Sequence, residues 1–546
     1  MSRIVKIGRR EIAVPWTLAD RLVDWVNPVA GAQRLQSRVA MEAATGSYNG
    51  GKKDRRALRN FRPRQTSANE AVSADLPDLR ARSRDLVRNV PVATGAIETV
   101  TTSVVGDGLV LKSTVDRDVL GLSPEAAAAW QKQAEREFAV WADRPDFTSR
   151  LNFDEMQALA LRSVLESGDL LVVRRRRFDL GDTYGLKLQF VEADRLSNPN
   201  LKANSSSLVD GVEMDADGRP VAYYISTRHP DDIAASQRSW KRYEIFSNTT
   251  GNPLILHLFR QLRVDQARGI PYLAPVIETI KQIGQYSEAE VTAAVVSAMF
   301  TVFIETPNPE DENGNPIIGA SGDGTSADAK TEVELGNGAI QPLLPGEKAN
   351  IPDPARPNPN FDGFVMAMSR HIGVALELPV ELLLKSFQSS YSASRAALEM
   401  AWQMFRTRRT WLAWKFCQPV YEWVITEAVA SGRLAAPGFF TDPIVRAAWL
   451  GSDWIGPARI QLDPLKEASA DLIDIGMGTK TREQVIMERT GGSFEAKHEQ
   501  LVREQKKRDQ DGLATPANAS SALQPAQSGG EGANDGGGDN KEGKTQ

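Results

Sequence analysis

The sequence predicts an α+β chain of several domains, and three observations carry that reading. Long stretches of helix-forming residues run without a breaker, above all 275–299 and 392–418. A block of short β-branched and aromatic runs, divided by turn residues, occupies 169–259. A segment rich in Pro, Gly, Asn and Asp, 306–360, lies between two long helices and holds short strand patterns of its own. At 546 residues the chain is long enough for about two to four domains with large cores.

Each element follows from local chemistry. Residues 1–75 read as a basic, irregular arm, with KKDRRALRNFRPR at 52–64. Dense alternating charge over 76–89 predicts a helix, and Pro91 restarts the chain into a second through 93–100. Gly106-Asp107-Gly108 then turns into the short strand LVLKS. Pro124 opens a helix to 141 from the first turn, where its missing N–H is no loss. Another helix spans 153–166 and ends at Ser167-Gly168-Asp169. Strands are expected at 169–178, 186–191, 221–227 and 254–259, with Asp217-Gly218 as a hairpin turn. Pro271 and Pro275 lead into the helix 275–299, about 37 Å long at 1.5 Å per residue. Residues 300–305, 332–335 and 339–342 are strand candidates, and a helix returns over 361–376. A Ser-rich loop then feeds a helix to 430 that Pro419 should kink. Helices at 464–474 and 481–505 precede a tail from 511 whose composition predicts disorder.

Composition narrows the function. Hydrophobic residues make up 41% and charged residues 25%, an ordinary globular balance, and the net charge of −5 is not that of a polycation built to clamp nucleic acid. The one cysteine, Cys417, excludes an internal disulfide and suits a reducing cytoplasm. The first residues lack an apolar core of signal-peptide length. The longest apolar run, 291–304, falls short of the roughly 18–20 residues of a membrane span. A soluble protein is therefore expected.

Catalytic chemistry is not legible. His229, His257, His371 and His498 are scattered without ligand spacing. Gly46 to Lys53 imitates a phosphate loop until its last position, which is Lys53 where Ser or Thr belongs. The run from Asp311 imitates a calcium loop, but Gly322 stands where the bidentate Glu belongs. Asp215 and Asp217 are better read as hairpin residues than as paired acid and base, and no Gly-x-Ser-x-Gly elbow occurs. The expectation is a structural or mechanical protein, not an enzyme, with no cofactor and no metal. The stretch SFQSSYSASRAALEMAWQMFRTRR at 386–409 fits that view: a neutral hydrogen-bonding loop on a rigid helical lever suits a part that touches something moving past it.

Several segments, in this order and spacing, resemble the portal proteins of tailed bacteriophages, lambda-type family. They are LRARSRDLVRNVPVATGAIETVTTSVVGDGLVLKS at 79–113, LESGDLLVVRR at 165–175 and LQFVEADRLSNP at 188–199. RQLRVDQARGIPYLAPVI at 260–277, SSYSASRAALEMAWQMFRTRR at 389–409, QPVYEWVITEAVASGRL at 418–434 and WIGPARIQLDPLKEASA at 454–470 follow. The resemblance runs from about residue 48 to 481 and leaves out the first fifty residues and the last forty.

That resemblance implies a portal-type multidomain subunit. Its parts would be a basic arm (1–75), a wing (76–270), stem helices (271–300 and 361–385), a β-rich clip (301–360) and a tunnel loop (386–394). A long kinked helix of the wing with its extension (395–459), a helical crown (460–510) and a disordered tail (511–546) would complete it. Such subunits form a ring, usually of twelve copies, at one vertex of the viral head. The implied location is the virion's portal vertex, after assembly in the host cytoplasm. Double-stranded DNA passes through the ring in packaging and ejection. The terminase large subunit docks on it first and head–tail connector proteins later, with the major capsid or scaffold protein around it.

By the same resemblance Lys385, Ser386, Phe387, Gln388, Ser389, Ser390, Tyr391, Ser392, Ser394 and Arg395 form the tunnel loop and its bases. Glu310, Asp311 and Glu312 in the clip would offer an acidic face to the motor. Lys281 and Arg406 are channel-lining candidates, read alternatively as solvated or inter-subunit ion-pair residues. The stretch 52–64 is read as a contact for capsid, scaffold or DNA, or as solvated. An acidic chain with a neutral loop at the constriction suits a pore, because strong phosphate contacts would trap the passing DNA. Two alternatives stay open: another phage head or tail structural protein, and a DNA-processing enzyme.

Overall fold

The computed structural model describes residues 2–7, 10–15, 17–44, 56–58, 60–232, 238–298, 302–305, 340–343, 360–388, 390–459, 464–490 and 494–513. The chain divides into two compact units, 1–71 and 72–546. The first is not irregular, as the sequence led us to expect. Strands Ser2–Ile7 and Arg10–Pro15 pair antiparallel, and helices Leu18–Val26 and Pro28–Ala44 follow. Thr17 starts the first helix with a reciprocal cap, exchanging hydrogen bonds with Asp20. Asp20, nearly fully buried, accepts from Arg38 at 2.9 Å and so binds the second helix to the first.

The second unit is built around one sheet with a core on each face. Its strands are ordered Ile255–Phe259, Asp169–Arg176, Leu186–Glu192, all antiparallel. Alternation sends Leu170, Val172, Leu188 and Leu258 to the larger core and Leu171, Val173, Val191 and Ile255 to the smaller. The smaller core is closed by a four-stranded meander: Leu208–Val209, Val212–Met214, Pro220–Ser226 and Trp240–Glu244. Gly218 takes the left-handed turn position (φ 80°), and the Asp215 carboxylate accepts from the N–H groups of Asp217 and Arg219.

Helices Leu76–Asn89, Pro91–Val104, Pro124–Ala142 and Phe153–Ser167 cover the larger core. Their starts carry the expected signals: Ser123 and Asn152 side chains accept from backbone N–H groups, and Pro77, Pro91 and Pro124 sit in first turns. The long helix belongs to the same core. It runs as Tyr391–Leu412, a π-helical turn Ala413–Cys417, then Gln418–Ala430. Pro419 has no N–H to give, and the π turn just before it takes up the mismatch, with Gln418 N–H reaching the Ala413 carbonyl. Phe416 stacks on Phe153 at 5.5 Å between ring centres, and Tyr421 meets Phe138 edge-on at 5.9 Å. Ser452–Ile455, downstream of the long helix, returns to pair with Val110–Ser113.

From this body a 3₁₀ turn, Ala274–Val276, leads into the helix Ile277–Ala298. Val276, Ile280 and Ile283 anchor its base in the larger core. Over 284–295 of this helix no residue is buried, and Val291 and Val295 are at least half exposed. The returning helix Phe361–Ala375 packs on it through Phe361 and Phe364, whose rings lie 5.4 and 5.0 Å from that of Tyr286. Between them, strands Val302–Glu305 and Ile340–Leu343 pair in parallel. The strand expected at 332–335 lies outside the described residues, as does the tail beyond 513.

Helices Pro464–Met477, Arg482–Thr490 and Phe494–Gln510 end the described chain; the expected single helix 481–505 is two, with Gly491 and Gly492 in the interval. No residue of the first two is buried. Ion pairs attach this region to the body: Lys112–Glu483, Lys132–Glu499 (2.8 Å) and Arg459–Glu399. Exposed pairs contribute about 0.2–1 kcal/mol each, and the screening length shrinks from about 10 Å at 0.1 M salt to about 3 Å at 1 M. Amide exchange in 464–510 is therefore expected to quicken at 1 M NaCl while 153–176 stays protected. Equal protection at both salts would mean that apolar contacts hold this region.

Candidate functional site

The loop singled out in the sequence is shorter than expected. A short helix, Val380–Leu383, seats Leu382 and Leu383 in the larger core and closes with Lys385 in the left-handed region (φ 53°). The Ser386 N–H reaches back to the Glu381 carbonyl at 3.0 Å, the closing bond of a helix end that more often uses Gly at the left-handed position. Lys385, Phe387 and Gln388 are exposed, and Ser386 is half-buried. Ser389 lies outside the described residues. Ser390 caps the next helix by accepting from the Ala393 N–H. Tyr391, Ser392 and Ser394 are therefore not loop but first turns of that helix, and Ser394 is buried. The Ser cluster supplied a helix cap, which the loop reading overlooked.

The outlying candidates are dispersed. Lys281 is exposed on the first stem helix and Arg406 on the long helix. Arg395, also exposed, borders a cleft with Arg459 and Glu467 where the long helix meets the start of the 464–477 helix. Glu310, Asp311 and Glu312 lie outside the described residues.

Sequence reasoning missed a heavily bonded buried polar group at the start of the central strand. Asp169, 1% exposed, opens the central strand. Its carboxylate accepts from Arg80 Nη2 (2.9 Å), Arg268 Nε (2.7 Å), the Gly269 N–H (3.2 Å) and His257 Nε2 (3.2 Å). Arg268 spends its remaining donors on the carbonyls of Ala193, Leu196 and Asp210, and Arg80 reaches the Ser167 carbonyl. Burial pushes the Asp169 carboxyl up, but the charges of Arg268 and then Arg80, with the His257 bond, outweigh it and hold it well below the usual range. Burial pulls His257 down despite Asp169, so the ring stays neutral. Burial also lowers Arg80 to about 10, still charged at neutral pH.

The adjoining glycines explain the tightness. Gly168 has φ 93°, and a Cβ there would stand 2.6 Å from the Gly269 carbonyl oxygen; a Cβ on Gly269 would meet the Gly168 carbonyl closer still. The motifs SGD and ARGIP thus cross backbone to backbone, just before Pro271 and the turn that leads into the helix Ile277–Ala298. A visible signal existed: an Asp directly after a helix-ending Gly, and an Arg directly before Gly-Ile-Pro.

Among the described residues one group has metal-ligand geometry, Glu192, Asp194 and His229. Arg84 bonds both carboxylates, that of Glu192 at 3.1 Å, so their charge is already answered by a guanidinium. No helix among the described residues is long and apolar enough to cross a membrane.

The chain is similar to known proteins along most of its length. Portal protein B of Escherichia phage lambda is 26% identical over 500 residues, 88% of this chain and 93% of that protein. The portal protein of Escherichia phage N15 is 26% identical over 513 residues, 89% of this chain and 95% of that one. Among solved structures, a chain of the virion of a native gene transfer agent particle aligns over 76% of this chain and 93% of its own. It has 12% identity and a TM-score of 0.37. A sequence model of the lambda family of phage portal proteins matches residues 54–409, more than half of the chain. The chain belongs to the lambda family of phage portal proteins.

Proposed function

We propose that this chain is the subunit of a closed ring, twelve copies in its usual form, at one capsid vertex of a virion. Double-stranded DNA enters and leaves through its channel. Membership in the portal family carries the reading. The stem supports it: the outer half of Ile277–Ala298 keeps Val291 and Val295 exposed, which a single subunit leaves uncovered and a ring would bury. The role is structural, a conduit without chemistry of its own.

Within that reading the loop 385–390 narrows the channel, with Lys281, Arg395 and Arg406 steering DNA without gripping it. The clip, with Glu310, Asp311 and Glu312, docks the terminase large subunit and then the head–tail connector proteins. The capsid or scaffold protein surrounds the wing.

Class averages of the purified chain in negative stain are expected to show closed rings of twelve, or of a neighbouring order such as thirteen, with a central hole. Only monomer at micromolar concentration across several salt conditions overturns the reading. Because Ser390 is a helix cap, the cationic test of the loop belongs at Gln388→Lys with Ser389→Lys. Rings should persist while packaging slows at low salt and recovers as salt screens the added charge. Parental packaging at low salt would move the loop off the DNA path.

A further inference from the structure

A cavity of about 400 Å³ opens where the wing, the stem and the long helix meet. Leu165, Leu262, Pro275 and Trp411 make it apolar, and Arg408 supplies a cation. Arg408 is 8% exposed and lies over the Tyr272 ring at 4.3 Å. Its Nε and Nη2 have no hydrogen-bond partner, since Glu377 at 3.9 Å is beyond bonding range. Glu377 stands equally far from Arg260, so one carboxylate is shared by two guanidinium groups. A buried donor without an acceptor is unfavourable, and the occupant that suits this cavity is an apolar group that brings neutral oxygen acceptors with it.

Among the described residues, the exposed loop before the long helix has that chemistry. Phe387 is 52% exposed on a loop of uncharged residues, Ser386 to Ser390, rich in carbonyl and side-chain oxygens. Within its own subunit Phe387 does not line the cavity and stays half exposed, on a loop held at one end by the buried Leu382 and Leu383 and at the other by the Ser390 cap. We propose that Phe387 of each copy seats in this cavity of the next copy around the ring, its loop accepting from Arg408 Nε and Nη2. The contact is head-to-tail, the kind that closes a ring when the rotation fits. Arg408 then stacks on an aromatic group from each of two copies. This inference rests on the ring reading above.

A disulfide test distinguishes the outcomes. Phe387→Cys combined with Leu262→Cys, both at exposed positions, is oxidised in the assembled full chain and run on a denaturing, non-reducing gel. The native Cys417 is buried and burial raises its thiol pKa, so it stays out of the exchange. A ladder of covalent oligomers is expected from the double variant and only monomer from each single one. Phe387→Ala should raise the concentration for half-assembly at least about ten-fold, and Phe387→Leu far less. Rings that form without a ladder, or a fast-running monomer from an intrachain bond, overturn the docking and leave the portal reading standing. An acidic substitute that assembles better, Phe387→Glu, would assign the cavity to a carboxylate instead. A parent chain that never self-associates removes both.

Discussion

Asp169→Asn is expected to remove about 3–5 kcal/mol from the stability of the wing, measured by urea unfolding. The substitution keeps the shape but deletes the counter-charge that Arg80 and Arg268 share, each at most 4% exposed, and leaves Arg80 only Asp194 at 3.8 Å. A loss below about 1 kcal/mol would show that Asp194 and the surrounding carbonyls suffice. The pH dependence follows from the two shifts. A carboxyl held low in the folded state contributes stability above its unfolded value near 3.9, lost as pH falls through the folded value. His257 is also held low, so the unfolded chain takes up a proton that the folded one refuses below about pH 6.5. Parent stability should therefore start to fall below about pH 6.5 and drop steeply below about pH 4. The variant should keep the first decline and show a shallower second, because Asp146, Asp182 and Glu137 are also held low in the folded chain and lose their stabilisation in the same range.

Gly269→Ala is expected to destabilise by about 3 kcal/mol or more and to abolish ring formation. The new methyl would collide with the Gly168 carbonyl, backbone against backbone. Neither strand can give way, because Asp169 and Arg268 on either side are locked in the ion network. Gly284→Ala is the contrasting case. It lies within the first stem helix, where a Cβ meets only Val90 Cγ2 at an ordinary 4.0 Å, so it should stabilise by about 0.5–1 kcal/mol. Equal behaviour of the two variants, in thermal melts and in class averages, would refute the crossing as the wing-to-stem anchor.

Much of the fold was legible because its signals are local. Pro91 and Pro124 mark helix starts where the structure has them, and short apolar, β-branched runs mark the central strands. What stayed hidden depends on distant partners. Trp240–Glu244 is mostly charged and polar, and becomes a strand only beside Pro220–Ser226. Ser452–Ile455 carries no strand pattern of its own and pairs with the expected strand Val110–Ser113, far back along the chain. The same holds for the candidate site. The neutral loop could be seen as a composition, but its boundary could not, since Ser390 and Ser394 serve the helix. The Asp169 network joins residues from four separated segments, and no spacing in the sequence announces it.

The central sheet has a consequence for how the wing comes apart. Leu171 and Val172 are neighbours in sequence yet belong to different cores, and the same is true of Ile255 and Leu256. Neither core has a wall of its own on that side. Melting the meander would wet half the side chains of the strand that the helices also need, and loosening the helices would wet the other half. Calorimetry should find one cooperative transition for both layers, with no intermediate that keeps the helices and sheds the meander. A subunit with that property answers a push on its outer layer by moving whole, and strain applied at the rim reaches the stem undiminished by local unfolding.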